Sequence, residues 1–495
     1  MRSILPDTTA WVRKNWVYAW VVVVFLASMV VAHMLGIRVS GNRFRVFWQY
    51  LDAPLLRDDL LGSLWNLHSQ PPLFEVFLGV MLKLFPVSHR TACGVVFWVT
   101  GLFLLLGMAW VMRKCGVWNA LNAALCTLFA FHPTFMVYVN WIFYTAPVAT
   151  MLLATGAVLI KYTETGRTGW AHAFSWGCAA VMLTRSLYHP VWFVGLMLLL
   201  VLLVPRELRR KLLVCAVVPF IVVNAWYAKN LAQIGMYTSS SWIGMNLAHS
   251  SSLSAGGNDG WQLSKAELDG LVAAGKVPKV WLKGAFQEPD EYSDLGYFAP
   301  SNSIGLHEAD GAPCTSHGGP NFNHREYARI SQDMLKGAIA LVREYPGRYL
   351  LRVKDGFMLF IQPGPNSTHF LVKYNFERVK RWKDITTRYL FLGKPYLTNS
   401  GKRPEPNILI VVYPMVLLYG AFVVLRKTAS GGGTARIFIA FAVTTAIWAM
   451  ACSIGLEVGE NDRMRWETDP LVLIVGAHFI QAVIVHVRSR MRPQP

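Results

Sequence analysis

Charge is scarce in this sequence. Asp, Glu, Lys and Arg supply 15% of its 495 residues, against about 25% in an ordinary soluble domain. Acid is scarcer than base: 28 Asp and Glu stand against 47 Lys and Arg, a formal net charge of +19. No Cys-x-x-Cys pair and no Cys/His spacing of a zinc site occurs. Of the scattered cysteines all but Cys314 sit in or beside apolar runs, where cysteine behaves as a small apolar side chain, so no disulfide framework is expected. The triple glycine at 431–433 follows no strand pattern and precedes no Gly-Lys-Ser/Thr, which excludes a phosphate loop. Neither an internal repeat nor a strand ladder is visible. A disordered chain is excluded by a hydrophobic content of 54%.

What is present is a series of long apolar runs, near the ~20 residues that cross a bilayer as a helix, and a mean hydropathy of +0.36. Ten candidate spans are read at 17–37, 92–112, 118–138, 145–160, 169–184, 188–204, 212–228, 407–425, 437–455 and 470–487. The first is too long for a signal-peptide core and lacks a small-residue cleavage site. With the N-terminus inside, every inner segment is basic: Arg13 and Lys14, Arg113 and Lys114, Lys161 and Arg167, Arg206 to Lys211, Arg426 to Arg436, Arg488 to Arg492. This is the positive-inside pattern. Bases placed so serve orientation, so no nucleic-acid partner is expected. Residues 71–86 are apolar but short and contain Glu75 and Lys83; they are expected to lie on the outer membrane surface, as is 347–362. The expected fold is a polytopic all-α membrane bundle of about ten helices with external juxtamembrane helices. It divides into a seven-span module 1–230 with an external loop 38–91, a small external domain 231–406 of α or mixed α/β structure, and a three-span module 407–495.

Ionisable residues beside membrane spans default to functional hypotheses, and here they gather at the external helix ends. Residues 50–74 hold Asp52, Arg57, Asp58, Asp59, His68 and Gln70. A carboxylate at a cavity edge can act as a general base on a hydroxyl, and Asp52 is the candidate because Phe47, Trp48 and Tyr50 adjoin it. Asp58 and Asp59 read equally as solvated charges or helix caps. His132, Tyr138, Trp141 and Tyr144 read as an interfacial aromatic belt that leaves Asn140 unexplained. Arg185 precedes His189 and Pro190 in an outer turn; its partner is either a phosphate, which matches the guanidinium fork, or a carboxylate of another helix. Lys229 ends the next external helix. Glu457, Glu460, Asn461, Asp462, Arg463, Arg465 and Asp469 crowd a last outer turn, either as a solvated hairpin or as part of a phosphate-binding cavity.

Taken in order, Asp52, the segment from His68 through Gln70 to Leu73, the run from Asn140 to Tyr144, Arg185 with His189, and Glu460 with Asn461, Arg463 and Arg465 resemble the C-type (GT-C) integral-membrane glycosyltransferases, most of all the bacterial aminoarabinose and mannosyltransferase branch. The resemblance implies transfer of a sugar from a polyprenyl-phosphate donor to a glycan, lipid or protein acceptor, with inversion. It places the chain in the bacterial inner membrane with its site facing the periplasm. It implies Asp52 as base, and Arg185, Lys229, Arg463 and Arg465 as donor-phosphate ligands. His68, Gln70, Asn140, Tyr144, His189, Glu460 and Asn461 become substrate contacts. In place of the family's basic residue before Pro-Pro stands Gln70, and where many relatives carry Glu stands Asn140. No cofactor is expected, since Arg and Lys suffice for a monophosphate, although a divalent metal is not excluded. The alternatives are a lipid-linked substrate transporter or flippase, which would show inverted repeats, and a non-glycosyl lipid-headgroup transferase.

Overall fold

A long apolar helix, α1 (Thr8–Met34), precedes a first loop carrying α2 (Ala53–Asp58), α3 (Leu60–Trp65) and α4 (Pro72–Leu84). There follow α5 (His89–Lys114), α6 (Asn119–Ala130), α7 (Pro133–Val139), α8 (Thr145–Thr165), α9 (Thr168–Thr184), α10 (Pro190–Leu203) and α11 (Arg206–Ile234). The segment after α11 carries α12 (Ile243–Ser251), α13 (Lys265–Ala273), α14 (Glu308–Gly311), α15 (Arg325–Glu344), α16 (Pro346–Phe360) and α17 (Lys373–Tyr389), with short 3-10 turns between them. The chain closes with α18 (Leu409–Leu425), α19 (Gly433–Leu456), α20 (Asn461–Trp466) and α21 (Asp469–Met491). This computed structural model describes residues 8–39, 48–251, 263–366, 373–396, 404–426, 433–457 and 459–491. Phe47, expected beside Asp52, lies outside them.

The molecule is a polytopic all-α membrane bundle. Among the described residues there is no strand, only an isolated bridge between Cys314 and Pro320, so of the two structures expected for 231–406 the helical one is found. All ten expected spans fall on helices, but not all are span-length. By length and composition six qualify: Asn15–Met34 of α1, and α5, α8, α11, α19 and α21. The stretch 118–138 is broken: α6 and α7 meet at 64°. His132 sits in extended backbone before Pro133, because a residue preceding proline is pushed out of the helical region. Helices α9, α10 and α18 have 17, 14 and 17 residues. At 1.5 Å per residue they reach only about 21–26 Å of a ~30 Å hydrocarbon core.

Close helix packing relies on small residues, as membrane interfaces do: a Cβ on Gly156 of α8 would meet the Phe438 ring of α19 at 2.8 Å. Leu104, Met108, Leu152, Phe174 and Phe441 fill the bundle interior, while Val23, Leu26, Val30, Leu198, Leu202 and Leu418 face outward. The basic helix ends meet at one pole. Arg113 donates to Asn15 Oδ1 at 3.1 Å, Lys114 pairs with Glu164 at 2.8 Å, Lys211 reaches the Gly166 carbonyl at 3.4 Å, and Arg488 lies over Trp118 at 5.5 Å. The first loop and the 231–406 segment occupy the opposite pole.

Helix α4 has 13 residues, too few to span, and packs on α2, α3, α5 and α9. Its Glu75 is buried and accepts the Leu51 amide at 3.2 Å; burial pushes this carboxyl up to about 8. Lys83 is exposed. The second expected surface helix, α16, lies against α19 and α20 and buries Arg352, which donates to the Gly455 carbonyl at 2.7 Å.

The two poles define a labelling experiment. In a Cys314→Ser background, a cysteine at Ser88 should react with a membrane-impermeant maleimide in intact spheroplasts. One at Arg210 should react only after permeabilisation. The reverse pattern would invert the bundle.

Candidate functional site

A cavity of about 820 Å³ opens at the pole opposite the basic helix ends. Its wall is assembled from helix termini: Tyr144 before α8, Arg185 after α9, His189 before α10, Tyr227 near the end of α11, Trp448 and Cys452 of α19, and Glu457, Glu460 and Arg463 around α20. Trp48, Gln49 and Gln70 enter from the first loop, and Ser239, Ser240, Trp242, Phe286 and Gln287 from the segment after α11.

Local sequence explains each placement. The residues from Arg185 to His189 make a tight reversal: the Arg185 amide closes α9 on the Val181 carbonyl, and His189 caps α10 by accepting from the Val191 amide at 3.2 Å, with Pro190 at the first helical position. Proline suits that position, since its missing N–H is one the helix leaves unpaired anyway. Burial lowers His189. Tyr144 stands at the start of α8, after a break that holds Trp141 stacked on Phe143 at 4.5 Å.

Arg185 and Arg463 are the chemical centre of the wall. The Arg185 guanidinium donates to Tyr144 Oη, lies 4.8 Å from the centre of that ring, and faces the fully buried Glu467 at 3.3 Å. Burial pushes Glu467 up, and Arg185 pulls it back. Arg463 is 3% exposed. It donates to Glu460 and, at 3.5 Å, to Thr145, with its guanidinium 5.0 Å from the Phe143 ring centre and 5.8 Å from that of Tyr144. The Arg463 Nε makes no hydrogen bond among the described residues, whereas the Arg185 Nε is the atom that faces Glu467 at 3.3 Å. Glu457 also lines the cavity; lost hydration, then the charge of Glu460, pushes its carboxyl up to about 7.

The structure brings together only part of the expected site. Gln70, Tyr144, Arg185, His189, Glu460 and Arg463 share the cavity; Asp52, His68, Asn140, Lys229, Asn461 and Arg465 do not line it. Asp52 receives the amide and, at 2.9 Å, the hydroxyl of Ser316. His68 is buried against Ser241 Oγ at 3.0 Å; burial, with the charge of Lys229 next, lowers it to about 3. Lys229 holds the first loop by donating to the Trp65 and Leu67 carbonyls and packs 3.9 Å over the Trp226 ring. Asn140 accepts from Trp98 at 3.0 Å and ends α7. Asn461 is spent on Ser453 and the Glu457 carbonyl. Arg465 turns away to the Phe360 and Gln362 carbonyls at 2.8 and 3.0 Å and to Asp469 at 3.0 Å. Two residues apart on a helix means about 200° of rotation, so α20 cannot present both Arg463 and Arg465 to one ligand. The aromatic run is also corrected: Trp141 and Tyr144 are each 4% exposed and packed inside, not a belt facing lipid. The last outer turn is no solvated hairpin either, since Asn461 to Trp466 are all buried.

Sequence reasoning missed Glu467 as the partner of Arg185, and missed Trp242, Phe286 and Gln287. No spacing or motif marks them. Among the described residues no group of three or more His, Cys, Asp and Glu is placed to hold a metal ion.

No protein-family model matches the chain, and no curated protein does. Among solved structures the chain is similar to ArnT from Cupriavidus metallidurans in the apo state, with a TM-score of 0.31 and 13% identity over 93% of this chain and 78% of that one.

Removing Arg465 would strip two carbonyls and Asp469 of their buried partner. Arg465→Met should cost about 3 kcal/mol, the scale of a broken buried pair, read as a lower denaturation midpoint. An unchanged midpoint would deny Arg465 its structural role.

Proposed function

We propose that the chain is a membrane glycosyltransferase that moves a sugar, with inversion, from a polyprenyl-phosphate donor to a glycan, lipid or protein acceptor at the outer face of the bacterial inner membrane. The reading is carried by one observation: two almost fully buried guanidinium groups, Arg185 and Arg463, share the wall of a cavity built from span ends. Carboxylates already neighbour both, so the expected salt-bridge partner of Arg185 exists in Glu467. The pair therefore stays folded in place without ligand, and the Arg463 Nε makes no hydrogen bond among the described residues.

A donor of this class carries one negative charge on its phosphodiester. As the bond from the sugar to the phosphate oxygen breaks, the leaving polyprenyl phosphate gains a second. Fixed cations aimed at developing charge stabilise such a transition state without having to reorganise. The apolar part of the wall, Leu187, Trp448, Cys452 and Leu456, offers a side for a prenyl chain. Gln49, Gln70, Asn246 and Gln287 offer amide hydrogen bonds to sugar hydroxyls. In this reading the modules 1–230 and 407–495 hold the donor between them and 231–406 covers the acceptor side.

Binding of undecaprenyl phosphate to the protein in nanodiscs tests the donor site. One hydrogen bond to a charged group contributes about 1.5–3 kcal/mol, so Arg463→Ala and Arg185→Lys should each weaken binding by about 10- to 100-fold, with Lys394→Ala, at an exposed lysine paired with Glu405, unchanged as a control. Unaltered affinity in both arginine variants would refute the phosphate site.

A further inference from the structure

We infer that Glu457 is the general base that takes the proton from the acceptor hydroxyl. This rests on the glycosyl-transfer reading and deepens it by naming the residue that activates the acceptor.

Four carboxylates compete for the role, and their surroundings separate them. Glu467 is fully buried against Arg185 and does not line the cavity. Glu460 lines it but is paired with Arg463. Asp52 is off the wall, with both oxygens accepting from Ser316. Glu457 is on the wall, and no hydrogen bond or ion pair from the described residues engages its carboxylate. Its backbone, by contrast, is held on both sides: the amide donates to the Ser453 carbonyl at 3.1 Å and the carbonyl accepts from Asn461 at 3.0 Å. Asn461, which the sequence suggested as a substrate contact, thus positions the base. Glu457 follows directly on the end of α19, so its main chain is fixed while its side chain is open to the cavity.

The charged groups around it come from three elements: Arg185 after α9, Arg352 of α16, and Glu460 and Arg463 at α20. Lost hydration and Glu460 raise the carboxyl, the three arginines lower it, and the balance stands at about 7. A base near the working pH combines a useful ionised fraction with useful proton affinity. The step balances. The ionised Glu457 carboxylate receives the hydroxyl proton, the acceptor oxygen bonds to the anomeric carbon, and the bond from that carbon to the phosphate oxygen breaks. Its electron pair leaves with polyprenyl phosphate, a dianion between Arg185 and Arg463.

Two measurements test this in nanodiscs. Dicyclohexylcarbodiimide attacks protonated carboxyls in apolar sites. Peptide mass spectrometry should find Glu457 modified at pH 6, spared at pH 8.5, and shielded by undecaprenyl phosphate. Release of undecaprenyl phosphate from its phosphoryl-arabinose and phosphoryl-mannose, with envelope extract as acceptor, should rise with pH and level off above about 7. Glu457→Gln should lower release about 10²- to 10⁴-fold while keeping affinity for undecaprenyl phosphate; Glu457→Asp should restore part of it, and Asp52→Asn should stay within tenfold. Full release by Glu457→Gln alongside collapse in Asp52→Asn would move the base to Asp52, and equal labelling of Glu457 at both pH values would overturn its assignment. Wild-type protein that fails to bind undecaprenyl phosphate would instead sink the donor reading.

Discussion

A guanidinium that leaves water must find a replacement for its hydration, and the cavity pole is organised around that demand at Arg463. Burying an isolated charge costs several kcal/mol even after relaxation. Arg463 meets the cost with Glu460 on its own helix, Thr145 at the start of α8, and the faces of Trp141, Phe143 and Tyr144. Thr145 and the three rings come from one run, 141–145, so one side chain ties the short helix α20 to the break before α8. Arg185 repeats the arrangement from the opposite side, and Tyr144 touches both guanidinium groups.

The roof over the cavity is tied down by neutral contacts. Asn323 accepts the amides of His68 and Ser69 and donates to the Asn66 and Ala309 carbonyls. Ser240 and Ser241 complete the strap by bonding the Ser69 and His68 carbonyls. The first loop thereby becomes a fixed wall, with Trp48 stacked on Phe286 and Gln70 turned into the cavity. His68, kept neutral by burial, fits this role as a hydrogen-bonding strut. The link between Asp52 and Ser316, and that between Asp59 and His307 at 2.8 Å, fasten the outer edge of the same loop.

The bundle and its two poles were legible because hydropathy and basic clusters report directly on the solvent each residue meets. The site was half legible. Arg185 and Arg463 stand out in sequence as cations on the side where topology needs none, and both reach the cavity. Arg465 carries the same signature and faces away, since the phase of a six-residue helix cannot be read from composition. Asn140 and Asn461 were marked as polar residues that nothing local explains; what explains them is a backbone end or a distant indole. Lys229 serves the carbonyls of the first loop, a contact across 162 residues that no local pattern encodes. Glu457 was visible only as one charge in a crowded turn, and what sets it apart is that no bond from the described residues engages its carboxylate.

Charge balance orders events at the site. Two arginines on the wall face Glu460 and Glu457, with Glu467 behind them. Before a donor arrives, the arginines hold Glu457 partly ionised against the cost of burial. A phosphodiester bound between them would draw on the same positive potential and add a negative charge nearby, and a nearby like charge raises a carboxyl's proton affinity. In the proposed transfer, Glu457 would thus become a stronger base with the donor phosphate present, and proton abstraction from the acceptor would be favoured when a sugar is in place to receive the oxygen.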